Sequence, residues 1–189
     1  MLTQTYKTVL RTLVSVLEEA TPEPTDWALI GSGSLQLQGL NTEYDTIEFM
    51  TTDKIVTTVG KMLGEEPVQI TTAVVSGTRL RLTREDIPIF VIGDPVFQGV
   101  EEKLSPVQIP SLWNALNHGS LDGHRIPCTP PEWELVLAVI LQANDRAEEI
   151  QQYLSEFGYD SRLLVRILRE GHATTQTENM VWSLLEERI

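Results

Sequence analysis

GSGSLQLQGLNTEYDTIEF, residues 31–49, opens on a glycine/serine turn and closes on an alternating segment that carries acidic side chains. Reading outward, the apolar WALI at 27–30 is a short buried strand, GSGS is a turn, and SLQLQGL is a short helix that ends near Gly39. YDTIEFM, at about 44–50, is a second strand. Such a unit can hold a nucleoside triphosphate: N–H groups at the turn bind phosphate oxygens, and carboxylates on the next strand hold Mg2+ against them. GSGS equally fits a plain tight turn with Ser34 as a helix N-cap. It is not the phosphate loop that ends in Gly-Lys-Ser/Thr, and Gln36 stands where the third glycine of a dinucleotide fingerprint belongs.

The flanking chain sets this unit in a mixed fold. Residues 2–20 place Tyr6, Val9, Leu10, Leu13, Val14 and Leu17 on one helical face, and TPEPTD at 21–26 stops that helix. Asp53 can cap a helix carrying Ile55, Val59, Met62 and Leu63, which Gly64 ends. From Val68 to Ile92 the segments VQITTAVVS, TRLRLT and IPIFVI read as strands joined by hairpins, with a turn at Arg84–Asp86. Gly93, Pro95 and Gly99 mark a loop, and within 100–122 the pattern supports one helix near Leu112–Leu116. Beyond the boundary IPCTPPEW the chain is helical. Trp133, Leu135, Val136, Leu137, Val139, Ile140 and Leu141 form an almost all-round apolar helix. Helices follow at about 145–157, at about 161–170 behind an Asp160 cap, and at about 176–188, while Trp133 and Trp182 belong to the core. The expected class is α+β: a mixed sheet with flanking helices over 1–128, including the N-terminal helix, then a helical half over 129–189.

LIGSGSLQLQGLNTEYDTIEFMT, residues 29–51, resembles the nucleotidyltransferase superfamily, whose fold is shared with DNA polymerase β, and in particular its small bacterial and archaeal branch. Gly31 and Ser32 fall on the Gly-Gly or Gly-Ser pair of that pattern, Gly39 on its later glycine, Ile47 and Phe49 on apolar strand positions, and Glu48 on the second metal-binding acid. The resemblance implies Gly31, Ser32, Gly33 and Ser34 as nucleotide-binding residues and Glu48 as metal ligand and catalytic acid. Active members transfer a nucleotidyl group from an NTP with two Mg2+ ions held by three carboxylates. Thr46 falls on the first acid. Asp45 is close, but Asp45 and Glu48 are three residues apart and face opposite sides of a regular strand, so only a bulge would unite them. The third acid belongs on a later strand, where IPIFVI is uncharged and Asp86 and Asp94 flank it in turns. RIPCTPPEWELVLAVILQANDRAEEIQQYL, residues 125–154, is similar to the superfamily's strand and helix start, and Asp145–Ile150 keeps the shape of its next segment without the Lys-Asp pair.

Composition narrows the partners. With 27 acidic and 14 basic residues the net charge is -13, which repels a nucleic-acid backbone over much of the surface. A local basic pocket for a small anion remains compatible with this, and Arg79, Arg81 and Arg84 fit either a strip facing a triphosphate or a solvated hairpin face. No apolar run approaches the roughly 20 residues that span a bilayer, and residues 1–20 lack the features of a signal peptide, so a cytoplasmic protein is expected. Cys128 is the only cysteine, and His118, His124 and Cys128 lack paired zinc-ligand spacing.

Three readings follow. The favoured one is a nucleotidyltransferase-like pseudoenzyme that keeps weak NTP or phosphate binding, with Mg2+ needed only if the site is active. The second is an active enzyme that adds Asp45 and a later acid to Glu48. The third is an interaction module that docks a protein partner or a second copy through its helical half.

Overall fold

The computed structural model describes residues 2–21 and 26–186. Helix α1 (Gln4–Ala20) starts where the Thr3 side chain accepts from the Tyr6 N–H, and it buries the six residues that its periodicity selects. Of the TPEPTD stop, residues 22–25 lie outside the described residues. Next come β1 (Trp27–Ile30), α2 (Gly31–Leu37), β2 (Ile47–Thr51) and α3 (Asp53–Leu63). The GSGS stretch is thus the first turn of α2 and not a loop before it. Ser34 does not cap the helix; it is fully buried inside it. At α3 the cap is Thr52, whose hydroxyl faces the Ile55 N–H, and Asp53 is the first helical residue. Gly64 closes the helix in the left-handed conformation at φ 70°.

The β-rich stretch divides differently from the expectation. A turn at 72–74 separates β3 (Val68–Thr71) from β4 (Val75–Arg84), with Thr72 Oγ1 accepting from the Val75 N–H. Gly77 is a bulge within β4, not a break between strands. Glu85 and Asp86, both at positive φ, form the two-residue turn into β5 (Ile87–Gln98). Strand β5 continues through Gly93 and Pro95, where a loop was expected. Gly93 marks a close approach: a Cβ there would lie 2.8 Å from Asp53 Cα. Asp94 consequently sits in a strand, and its carboxylate accepts from the Asp53 N–H at 3.2 Å.

After β6 (Lys103–Leu104) come α4 (Pro110–Asn114) and a hairpin of β7 (Asn117–Leu121) and β8 (His124–Cys128), of which β7 was not anticipated. The helical half is α5 (Pro131–Ile140), α6 (Asn144–Phe157), α7 (Ser161–Glu170) and α8 (Thr175–Glu186), with Asp160 capping α7. Residues 187–188, expected to extend α8, lie outside the described residues. No helix among the described residues is long and apolar enough to cross a membrane.

The strands form one mixed sheet in the order β3-β4-β5-β2-β1-β8-β7, with β6 paired to β5. Alternation assigns its two faces. Leu29, Ile47, Phe49, Leu80, Leu82, Ile89 and Val91 pack with α1 and α3, whereas Ala28, Ile30 and Met50 join the core built by α5 to α8. Every residue of α5 is buried, so this helix forms the centre of the second layer. The architecture is α+β, a mixed sheet with flanking helices followed by a helical half.

Candidate functional site

Glu48 lies near the start of β2, where β1 runs antiparallel on one side and β5 parallel on the other. Its neighbours across the sheet are Ile30 and Phe90, and beyond Phe90 lies Arg81 of β4. These four residues form one row and point to the face that carries the helical half. Gly31 follows Ile30 directly, at φ 66°, and a Cβ on it would lie 3.3 Å from Glu48 Oε2. Only glycine turns the chain into α2 this way while leaving room for the carboxylate.

A second carboxylate meets the same glycine. Glu134, in the first turn of α5, is 4% exposed, and its Oε1 accepts from the Gly31 N–H at 2.9 Å and from the Thr129 hydroxyl. The Thr129 carbonyl in turn accepts from Ser34 Oγ at 3.1 Å and from Gln38 Nε2 at 2.9 Å, which ties α2 to the end of β8. Burial pushes Glu134 above the ordinary carboxyl range, although its two donors and Arg146 pull it down. Burial also raises Glu48, followed by the charges of Glu134 and Asp45, with Arg146 opposing. Arg146 of α6 donates to Thr42 Oγ1 at 2.7 Å and pairs with Glu149 at 3.8 Å. On the other side, the Tyr6 hydroxyl donates to the Thr46 carbonyl at 2.9 Å, and burial raises its pKa most. A cavity of about 580 Å³ lined by Gln36, Asn41, Thr42, Glu43, Tyr44 and Asp45 opens beside this cluster. A larger cleft of about 790 Å³ lies apart from it, between α4 and α7.

The overall fold is similar to that of solved structures. A candidate nucleotidyltransferase from Thermotoga maritima is similar in structure with a TM-score of 0.57 and 21% sequence identity, over 79% of this chain and 94% of that one. The chain has the nucleotidyltransferase fold. The antibiotic-resistance factor ANT(2'')-Ia aligns at 12% identity over 96% of this chain and 94% of that one, with a TM-score of 0.48. An antigenic nucleotidyltransferase-like protein from Paracoccidioides brasiliensis aligns at 14% identity over 96% and 88%, with a TM-score of 0.46. No protein-family model matches the chain, and no curated protein matches it.

Within the nucleotidyltransferase fold, the expected site residues are brought together unevenly. Glu48 and Gly31 are in contact distance. Ser32 is half-buried beside them, Gly33 packs against the Tyr6 hydroxyl, and the Ser34 hydroxyl is turned inward to Thr129. Asp45 is exposed, and residues 41–46 are irregular, so strand alternation does not set its direction; it lies near enough to raise Glu48. Thr46 precedes β2 and is fastened through its carbonyl. Asp94 is four residues beyond Phe90 along β5, or about 13 Å at the usual rise per strand residue, and Asp86 lies in the turn before β5, four residues ahead of Phe90. His118 and His124 are exposed on β7 and β8 while Cys128 is buried, its thiol pushed up to about 11 by that burial. Glu134 and Arg146 were missed. The signal for Glu134 was a charge inside an all-round apolar helix, since such a group is rarely buried without partners.

Proposed function

We propose that this chain is a nucleotidyltransferase-fold protein with a degenerate catalytic constellation, retaining weak NTP or phosphate binding without turnover. The observation that supports this is the register at Glu48: its neighbour on β5 is Phe90, where a further carboxylate would be needed. Two Mg2+ ions on a triphosphate require several carboxylate oxygens on one face. Glu48 offers one group in the row, and the Glu134 carboxylate oxygen is committed to the Gly31 N–H and the Thr129 hydroxyl. This donor set does not fit the two-metal arrangement. The chain's residues here hold one another: Glu134 fixes the turn, Tyr6 fixes the approach to β2, and Arg146 offsets the two glutamates.

The position of Asp45 supports a second reading, because its charge acts on Glu48 and an irregular backbone joins them. In that reading the pair carries Mg2+-dependent nucleotidyl transfer with a later acid. Pyrophosphate release with each of the four common ribonucleotides, with Mg2+ or Mn2+, separates the two. The degenerate reading expects trace release that Glu48→Ala and Asp45→Ala do not change. Robust release that disappears in either variant establishes the enzyme.

A further inference from the structure

We propose that the anion-binding part of this site lies on β4, where Arg79 and Arg81 receive the phosphates of a polyphosphate-bearing ligand. The inference rests on the binding half of the function proposed above and moves it away from the glycine turn. At that turn the Gly31 N–H already serves the Glu134 carboxylate, with Glu48 alongside. A phosphate arriving there meets two carboxylates and an amide that has been taken.

Strand β4 presents the opposite charge on the same face. Leu80 and Leu82 enter the core with α1 and α3, so Arg79 and Arg81 point to the side of Glu48. Arg81 is exposed and stands opposite Phe90, in the Glu48 row. Arg79 starts two pairs further along, opposite Ile92, and brings its guanidinium over the Phe90 ring, 5.4 Å from the centroid. Its Nε is buried and has no hydrogen-bond partner among the described residues. Neither arginine forms an ion pair among the described residues, although over the full chain acids outnumber bases by 27 to 14. Packing on an aromatic ring orients the guanidinium and leaves its two terminal nitrogens for contact with phosphate.

The spacing selects the ligand. Two inter-strand steps, about 10 Å, separate the β4 row position from that of Glu48, so phosphates held at β4 stand clear of the carboxylates. Two guanidiniums from alternate residues on one face of a strand suit a chain of at least two phosphates. An NTP tail and a free polyphosphate share this chemistry.

The test is calorimetric titration of the whole chain in EDTA with inorganic triphosphate and, separately, with ATP. Both probes are expected to bind. Loss of a charged hydrogen-bonding partner in Arg81→Ala or Arg79→Gln should weaken each by about tenfold or more, whereas Ser32→Asp should change them by about threefold or less. ATP binding much tighter than triphosphate would assign the source as a nucleotide, and equal binding would assign a bare polyphosphate. Arg81 is exposed, so its variant keeps the fold, verified by an unchanged Tm. Binding that survives both arginine variants and is lost in Ser32→Asp overturns the inference and returns the site to the turn. Absence of binding by either probe at millimolar concentration also overturns it, while pyrophosphate release continues to decide the catalytic reading independently.

Discussion

Glu48 at the start of β2 and Glu134 at the start of α5 both reach Gly31, and the chain treats them in opposite ways. Glu134 is almost fully buried and receives an amide and a hydroxyl hydrogen bond. Glu48 is half-buried, and the larger influences on it are unfavourable: burial, then Glu134, then Asp45. A buried carboxylate with donors holds a structure together, whereas one without them is retained at a cost. The difference shows that negative charge at the mouth of α2 comes from within the chain. Glu134 is a fastening, whereas Glu48 has no hydrogen-bond partner among the described residues.

Replacing each glutamate should separate those roles. Glu134→Ala leaves the Gly31 N–H without its acceptor, removes the carboxylate partner of the Thr129 hydroxyl and opens a cavity, which should cost about 3 kcal/mol. In a domain of this size that lowers Tm by roughly 6–12 °C, and a fall of about a degree in a thermal melt would refute the fastening role. The pH dependence is the next largest effect. Both carboxyls are raised in the fold from the ordinary value of 4.5. Between that value and the folded one, the native state binds more protons than the unfolded state, so stability is full below 4.5 and falls as pH rises through the folded values. Glu134→Gln should flatten this decline relative to the parent chain, read as the difference between Tm–pH curves; parallel curves would contradict it. Tyr6→Phe should cost about 1 kcal/mol by freeing the Thr46 carbonyl, measured by urea denaturation. The smallest effect belongs to Glu48→Gln, which removes a disfavoured charge and should raise Tm at neutral pH by about 1–2 °C. A clear loss of stability there would make the two glutamates equivalent.

Local signals in the sequence were enough for elements whose cause is local. The six buried residues of α1, the Asp160 cap and the Gly64 terminus follow from periodicity and end chemistry, and the structure has them as expected. Pattern matching at 29–51 identified the fold and the Glu48–Gly31 neighbourhood. Positions where glycine or proline serves a distant partner were misread. Gly93 and Pro95 suggested a loop, yet Gly93 is small because α3 begins against it. Gly77 suggested a strand end, yet it sits in a bulge that faces Gly93. Strand β7 was hidden because NHGSL pairs with only one neighbour and buries only Gly119 and Leu121. Within the site, alternation placed Glu48 but could not place Asp45, whose backbone is irregular. The bonds of Glu134 to Gly31 and of Arg146 to Thr42 were invisible to local reading because they span more than 100 residues.

That separation also governs how the chain acquires its site. The Gly31–Glu134 bond spans 103 residues and the Thr42–Arg146 bond 104. At a synthesis rate of about 5–20 residues per second, the turn at Gly31 is made roughly 5–20 s before its carboxylate partner exists. Neither bond can form until α5 and α6 have left the ribosome.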